Sequence, residues 1–288
     1  LTLFGVETQR FNNKITERVK SVNNQLDIKL DTIKIVFDPI RFKINIKTIG
    51  PKLINNKKNI EIENIKARIS IKALLSDKFS IENLDISTKS LDLNNLISFI
   101  RSINQKPELY VLEKVVKKGF LIADIKLEFD DKGNIKKNYK ISGFLKDAKL
   151  ILLDSYTIDK LNLIFDSKSN ELMFRDIIFR LNNLNFKSNK ILVKNEKDQF
   201  LFQGKISHDK FDLSNKNLKV LLDPFIKKKN ITNLNFVSKN DFFFSLSKKL
   251  KVKDFKIIST LSLSKLSISN NFELKNFFPN IKGDISFL

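Results

Sequence analysis

Apolar and polar residues alternate along most of this chain with a period of two, the pattern of strands with one buried face. Leu26, Ile28 and Leu30 interleave with Asp27, Lys29 and Asp31; Ile33, Ile35 and Phe37 follow until Asp38-Pro39 interrupts. Phe42, Ile44 and Ile46 alternate with Lys43, Asn45 and Lys47 up to Gly50-Pro51. The cleanest run sets Ile65, Ala67, Ile69 and Ile71 against Lys66, Arg68, Ser70 and Lys72, and Phe79-Ile81 and Leu84-Ile86 continue it.

The period changes to that of a helix in two places. Phe11, Ile15, Val19 and Val22 lie on one face of an amphipathic entry helix within residues 9–24. Leu93, Leu96, Ile97, Ile100 and Ile103 form a stripe behind Asp92, a suitable N-cap. Pro107 then opens a second helix with Leu109, Leu112, Val115 and Val116, ending at Lys117-Lys118-Gly119 where cations and a Gly suit a helix C-terminus. Residues 92–118 therefore read as an αα-hairpin inserted in a sheet.

Strands resume with Ile125-Leu127-Phe129, the turn Asp130-Asp131-Lys132-Gly133, and Tyr139-Ile141-Gly143-Leu145, which together imply a hairpin. Alternation recurs at Leu161-Leu163-Phe165, Leu172-Phe174, Ile191-Val193, Phe200-Phe202, Phe242-Phe244-Leu246, Leu261-Leu263 and Phe272-Leu274. A weaker helical signal near Ser214 to Lys228 is interrupted by Asp223-Pro224. The expected fold is mainly β: a curved antiparallel meander or β-groove with an N-terminal amphipathic helix and the inserted hairpin. A soft boundary divides it into residues 1–118 and 119–288.

Composition adds weight to strands, with 26 Phe but only 7 Gly and no Trp. The formal charge of +21 invites a nucleic-acid or anionic-membrane reading. However, the basic clusters Lys57-Lys58, Lys136-Lys137, Lys227-Lys229 and Lys248-Lys249 are scattered over turns and edges, and the excess of Lys, Asn and Ile matches the coding bias of an AT-rich genome. No nucleic-acid partner is expected. No apolar run approaches the roughly 20 residues needed to span a bilayer, although Leu1 to Val6 reads as the trailing end of a spanning helix or as a short first strand. With a Leu at its start and the alternating Ile285-Ser286-Phe287-Leu288 at its end, the chain reads as a piece of a longer protein.

Candidate chemistry is sparse. Without cysteine there is no disulfide framework, thiol nucleophile or thiolate zinc site. His208, in Ile206-Ser207-His208-Asp209-Lys210, is the one histidine and reads as a turn residue, because neighbours along a strand end point in different directions. Asp130-Asp131-Lys132-Gly133-Asn134 echoes a calcium loop but lacks the carboxylate spacing and the closing Glu. There is no phosphate-binding Gly-rich loop and no nucleophile elbow. No catalytic residue, metal or cofactor is expected, which leaves the apolar face itself. Such a face must be covered by a second sheet, by helices or by a ligand, so a sandwich or barrel core and a ligand groove both remain open.

The order of elements resembles the start of AsmA-like proteins, the superfamily that includes TamB and YhdP. The resemblance rests on the apolar stub, the entry helix at Thr8-x-Arg10-Phe11-Asn12, and strands Leu26 to Asp31 and Ile33 to Ile35. It extends to the stretch Ile62 to Leu75 with its Leu74-Leu75 turn, the strand Phe79 to Ile86, and the restart at Gly119-Phe120 followed by Tyr139 to Gly143. It covers roughly residues 1–165. The resemblance implies an inner-membrane anchor, a periplasmic body of β-groove units, and a non-enzymatic role in phospholipid transport or outer-membrane assembly, with acyl chains and outer-membrane assembly proteins as partners. Its groove-facing candidates are Ile33, Ile35, Phe37, Phe42, Ile44, Ile46, Ala67, Ile69, Ile71, Leu127, Phe129, Ile141, Leu161, Leu163, Phe165, Phe200 and Phe202, each of which reads equally as core. The alternative function is a scaffold β-sandwich that binds a protein partner.

Overall fold

In a computed structural model of the chain, residues 5–10, 12–22, 24–55, 58–76, 80–152, 155–212, 214, 216, 218–219, 231–249, 251–268 and 285–287 are described. The protein is mainly β, and each described strand pairing is antiparallel. It divides into two compact units: Leu1–Ile151 with Asn162–Met173, and Leu152–Leu161 with Phe174–Leu288.

The first unit begins with β1 (Val6–Thr8), α1 (Asn12–Val22), β2 (Leu26–Lys29), β3 (Ile33–Asp38), β4 (Lys43–Ile49), β5 (Lys52–Asn55) and β6 (Lys58–Ser70). It continues with α2 (Ile71–Leu75), β7 (Ile81–Thr88), β8 (Leu91–Asp92), α3 (Leu93–Ile103), α4 (Pro107–Val115), β9 (Val116–Glu128) and β10 (Lys140–Leu152). β11 (Tyr156–Lys168) and β12 (Glu171–Leu181) each contribute residues to both units. In the second unit follow β13 (Leu184–Asn195), β14 (Gln199–Ser207), β15 (Phe211–Asp212), β16 (Ile231–Ser247), β17 (Val252–Ile268) and β18 (Ile285–Phe287).

Several strands are long for a globular protein, β16 and β17 running 17 residues each. Long strands keep one apolar side only if their phase is reset where the twist demands it, and bulges do this. In β6 the apolar positions are Ile60 and Ile62, then Ile65, Ala67 and Ile69, and the register against β7 shifts between Ile62 and Asn64. β10 shifts between Lys146 and Lys149, with Asp147 at φ 50°, and β17 carries Asp254 at φ 51° beside the Phe243/Ser245 shift.

Helix α1 packs on β2, and α3 packs on β5, β6, β8 and β9. Asp92 caps α3 through the Asn95 N–H, and α3 buries Leu93, Ile97 and Phe99. Phe99 forms a cluster with Ile60 and Leu91, against which Leu26, Leu53, Leu96 and Ile103 pack. Ile100, expected on the apolar stripe, is instead 38% exposed, and Phe99 takes the inner position. Arg101 of α3 pairs with Glu113 of α4 and lies over the Tyr110 ring at 5.2 Å, which ties the hairpin together.

The end of α4 differs from the expectation. Lys117, Lys118 and Gly119 do not close a helix but lie within β9, because Val116 and Lys118 pair with Leu150 and Lys149 of β10 while Leu121 pairs with Leu91 of β8. Gly119 has φ +143°, and a Cβ there would stand 2.8 Å from Leu93 Cδ1 and 2.9 Å from the Ala148 Cα. It lets helix and strand approach, so the boundary drawn near residue 118 falls inside a strand. Ile71, expected in a strand, opens α2, where Ser70 Oγ accepts the Ala73 N–H and diverts the chain. Residues 1–4, Phe11, Lys57, Phe79, Asp223-Pro224, Lys227-Lys229 and Phe272-Leu274, all part of sequence expectations, lie outside the described residues.

Candidate functional site: an apolar strand face

Cross-strand register turns the alternation into rows. In the first unit Val6, Ile35, Ile46, Ala67, Leu84 and Leu127 are successive partners across β1, β3, β4, β6, β7 and β9. Beside them run Ile33, Thr48, Ile65, Ile86, Ile125 and Ile141, and a third row joins Phe37, Ile44, Ile69 and Ile81. Nine of the proposed groove positions thus share one face: Ile33, Ile35, Phe37, Ile44, Ile46, Ala67, Ile69, Leu127 and Ile141. Ile65, Ile81, Leu84, Ile86 and Ile125 belong to the same rows and were missing from the candidates. Their alternation was visible, but only register shows that they complete the ladder.

Burial along this face is graded. Ile33 is fully buried, whereas Phe37 is 38% and Phe42 40% exposed and the other candidate positions are half-buried. Phe42 stands outside the strands at φ 52°, its ring edge-on to Phe37 at 6.4 Å. Ile71 in α2 and Phe129, which bridges to Ile135 past the end of β9, lie off the rows. Leu163 and Phe165 belong to the first unit, and Phe165 Cζ lies over Gly143, where a Cβ would approach it to 2.8 Å.

Leu161 falls in the second unit. There Val193 pairs with Phe202 and Phe202 with Phe244, the two rings stacked at 4.6 Å. Phe200 pairs with Leu246, and Leu246 with Val252. Gly204 lies between Ile191 and Phe242, which a Cβ would crowd at 2.8 and 3.1 Å. From Lys251 through Ser264 the residues are exposed on both sides of β17, including Ile257, Ile258, Leu261 and Leu263.

The opposite face of the first unit carries an arrangement that the sequence reading missed. Glu7, Lys34, Lys47, Lys66, Asp85, Lys126 and Lys140 are cross-strand partners in one row, so Lys34, Lys47 and Lys66 stand side by side. Like charges directly opposite disfavour the sheet. With Arg68, Val36, Asn45, Asn83 and Asp85 these lysines line a cleft of about 360 Å³. The basic residues were sought as runs along the chain, whereas the sheet gathers them across it.

The chemical candidates have structural partners. His208 follows β14, outside the strands as expected, and is buried, its ring stacked on Phe211 at 3.7 Å. Its Nδ1–H donates to the Asp209 carbonyl, leaving Nε2 to accept the Ser238 hydroxyl at 2.7 Å, while Asn240 Nδ2 donates to Ser238 Oγ. Burial pushes the imidazole pKa down, which favours the neutral ring. Asp130 Oδ1 accepts the N–H groups of Lys132 and Asn134, closing the hairpin turn, and these bonds with Asn134 hold its carboxyl below the usual range. Among the described residues no three of His, Asp or Glu gather as metal ligands, and no helix is long and apolar enough to cross a membrane.

Neither a protein-family model nor any curated protein or solved structure matches the chain.

Proposed function

We propose that the chain is a non-enzymatic part of an AsmA-like envelope protein, anchored in the inner membrane and extending into the periplasm, whose apolar strand face carries phospholipid acyl chains toward the outer membrane or supports outer-membrane assembly. The observation that carries this reading is the first unit's set of apolar rows, of whose candidate positions only Ile33 is buried. The row from Ile33 to Ile141 crosses six strands, about 24 Å at about 4.8 Å per strand, comparable with an extended acyl chain. Transfer of such a chain from water contributes on the order of 0.8 kcal/mol per methylene. Half-exposed Ile and Phe side chains supply that contact without a metal or cofactor.

The experiment is extraction and mass spectrometry of lipid from gently purified protein, with photocrosslinkers at Ile44 and Leu127. Stoichiometric phospholipid, crosslinked at both positions and lost in Ile44→Glu, is the expected result. Lipid-free protein with silent crosslinkers would overturn the reading. One observation favours the scaffold alternative: β17 has exposed apolar side chains and, among the described residues, no strand on its second edge between Val252 and Lys265, an arrangement suited to pairing with a strand of another protein.

A further inference from the structure

We infer that the second unit holds a binding site for an anionic amphiphile, a molecule with an apolar body and a phosphate or carboxylate head, on the strand face that Gln203 and Phe243 share, opposite the Phe202–Phe244 stack. The site does not rest on the groove reading, because that reading is carried by strands of the first unit and this site lies on strands of the second.

Register defines it. Leu192 pairs with Gln203, Gln203 with Phe243, and Phe243 with Lys256; one step along, Lys205 pairs with Asp241 and Asp241 with Ile258. Strict alternation would make this face wholly polar, yet Leu192, Phe243 and Ile258 break it. They contribute an apolar floor to a cleft of about 750 Å³, within the range of roughly 300–1,000 Å³ typical of small-molecule sites. The register shift between Lys187 and Ile191 in β13 opens one side of the cleft and brings Ser188 and Lys190 to its margin.

Charge gives the class of ligand. Lys190, Lys205, Lys239 and Lys256 line the cleft with Asp241 as the single carboxylate, and Asp241 is engaged by Lys205 at 3.2 Å. Among the described residues Lys190, Lys239 and Lys256 have no carboxylate within ion-pair distance. Cations set around an apolar floor favour a ligand that is oily at one end and negative at the other. A nucleic acid would need a longer basic track with aromatic platforms, and a neutral lipid would leave the lysines without a counter-charge.

Titration calorimetry of the whole chain with dodecyl phosphate below its micellar concentration tests the site, with dodecyl maltoside, inorganic phosphate and a single-stranded oligonucleotide as comparison ligands. Dodecyl phosphate should saturate at one equivalent, at least about tenfold tighter than either the maltoside or phosphate, and Lys190→Gln/Lys239→Gln/Lys256→Gln should weaken it by about tenfold or more. Equal binding of the neutral amphiphile, unchanged binding by the triple variant, or tighter binding of the oligonucleotide would overturn the inference. Since the three lysines are exposed, the variant should keep the wild-type circular dichroism. Phe37→Glu in the first unit should abolish phospholipid retention and leave dodecyl phosphate binding intact, so failure of one reading is distinguishable from failure of the other.

Discussion

The rings of Phe202 and Phe244 lie face to face across β14 and β16, 4.6 Å apart and 5° from parallel. The Phe242 ring is stacked on that of Phe244 at 6.0 Å, so the aromatic surface continues along β16. Replacing Phe202 and Phe244 by Leu, singly and together, should reveal a coupling of about 0.5–1.5 kcal/mol in urea denaturation. Simple additivity would mean that the stack contributes area and nothing more.

Gly119 and Gly50 offer a matched comparison. Both have positive φ, but a Cβ at Gly50 would meet nothing within 4 Å, whereas one at Gly119 would collide with Leu93 and Ala148. Gly50→Ala should cost about 1 kcal/mol from backbone strain alone. Gly119→Ala should cost roughly 2–4 kcal/mol, because overpacking adds to strain. Equal losses would show that α3 does not pack on β9 as described.

His208 makes stability fall on mild acidification. Its folded-state pKa is lowered, mainly by burial, below the ordinary 6.5 of the unfolded chain. The unfolded state therefore takes up protons first, so the contribution is complete above pH 6.5, declines below it, and levels off once the folded-state value is passed. Thermal melts between pH 7.5 and about 5 should show this slope, and His208→Phe should remove it.

Glu61 sits between Lys52 at 2.7 Å and Lys89 at 3.0 Å, and hydrogen bonds from both lower its pKa to about 2. Its contribution is present above the ordinary carboxylate value of 4.5 and is lost as pH falls toward about 2. Carboxyl-carbon NMR should place its midpoint far below those of other glutamates at low salt. Because all three side chains are near half-exposed, added salt should bring the midpoint back toward 4.5.

Local pattern carried a great deal. The alternation at Ile33-Ile35-Phe37 and Ile44-Ile46 marks β3 and β4, and Asp130-Asp131-Lys132-Gly133 marks the turn before β10, because side-chain period and turn chemistry act within a few residues. The lysine row Lys34-Lys47-Lys66 was hidden for the opposite reason: its members are far apart along the chain and adjacent only across it. Likewise the C-cap reading of Gly119 was locally sound, and the pull of β8 and β10 on its neighbours overrode it.

The amino-acid sequence by itself determined that this protein would be mainly strand with one oily and one charged side, since the period of two is a property of neighbours on a pleated backbone. Tertiary structure alone decided which oily residues are sealed under α3 and which stay half-exposed, and which lysines meet. Register and bulges set those partnerships, and they arise from contacts between segments that local sequence does not encode.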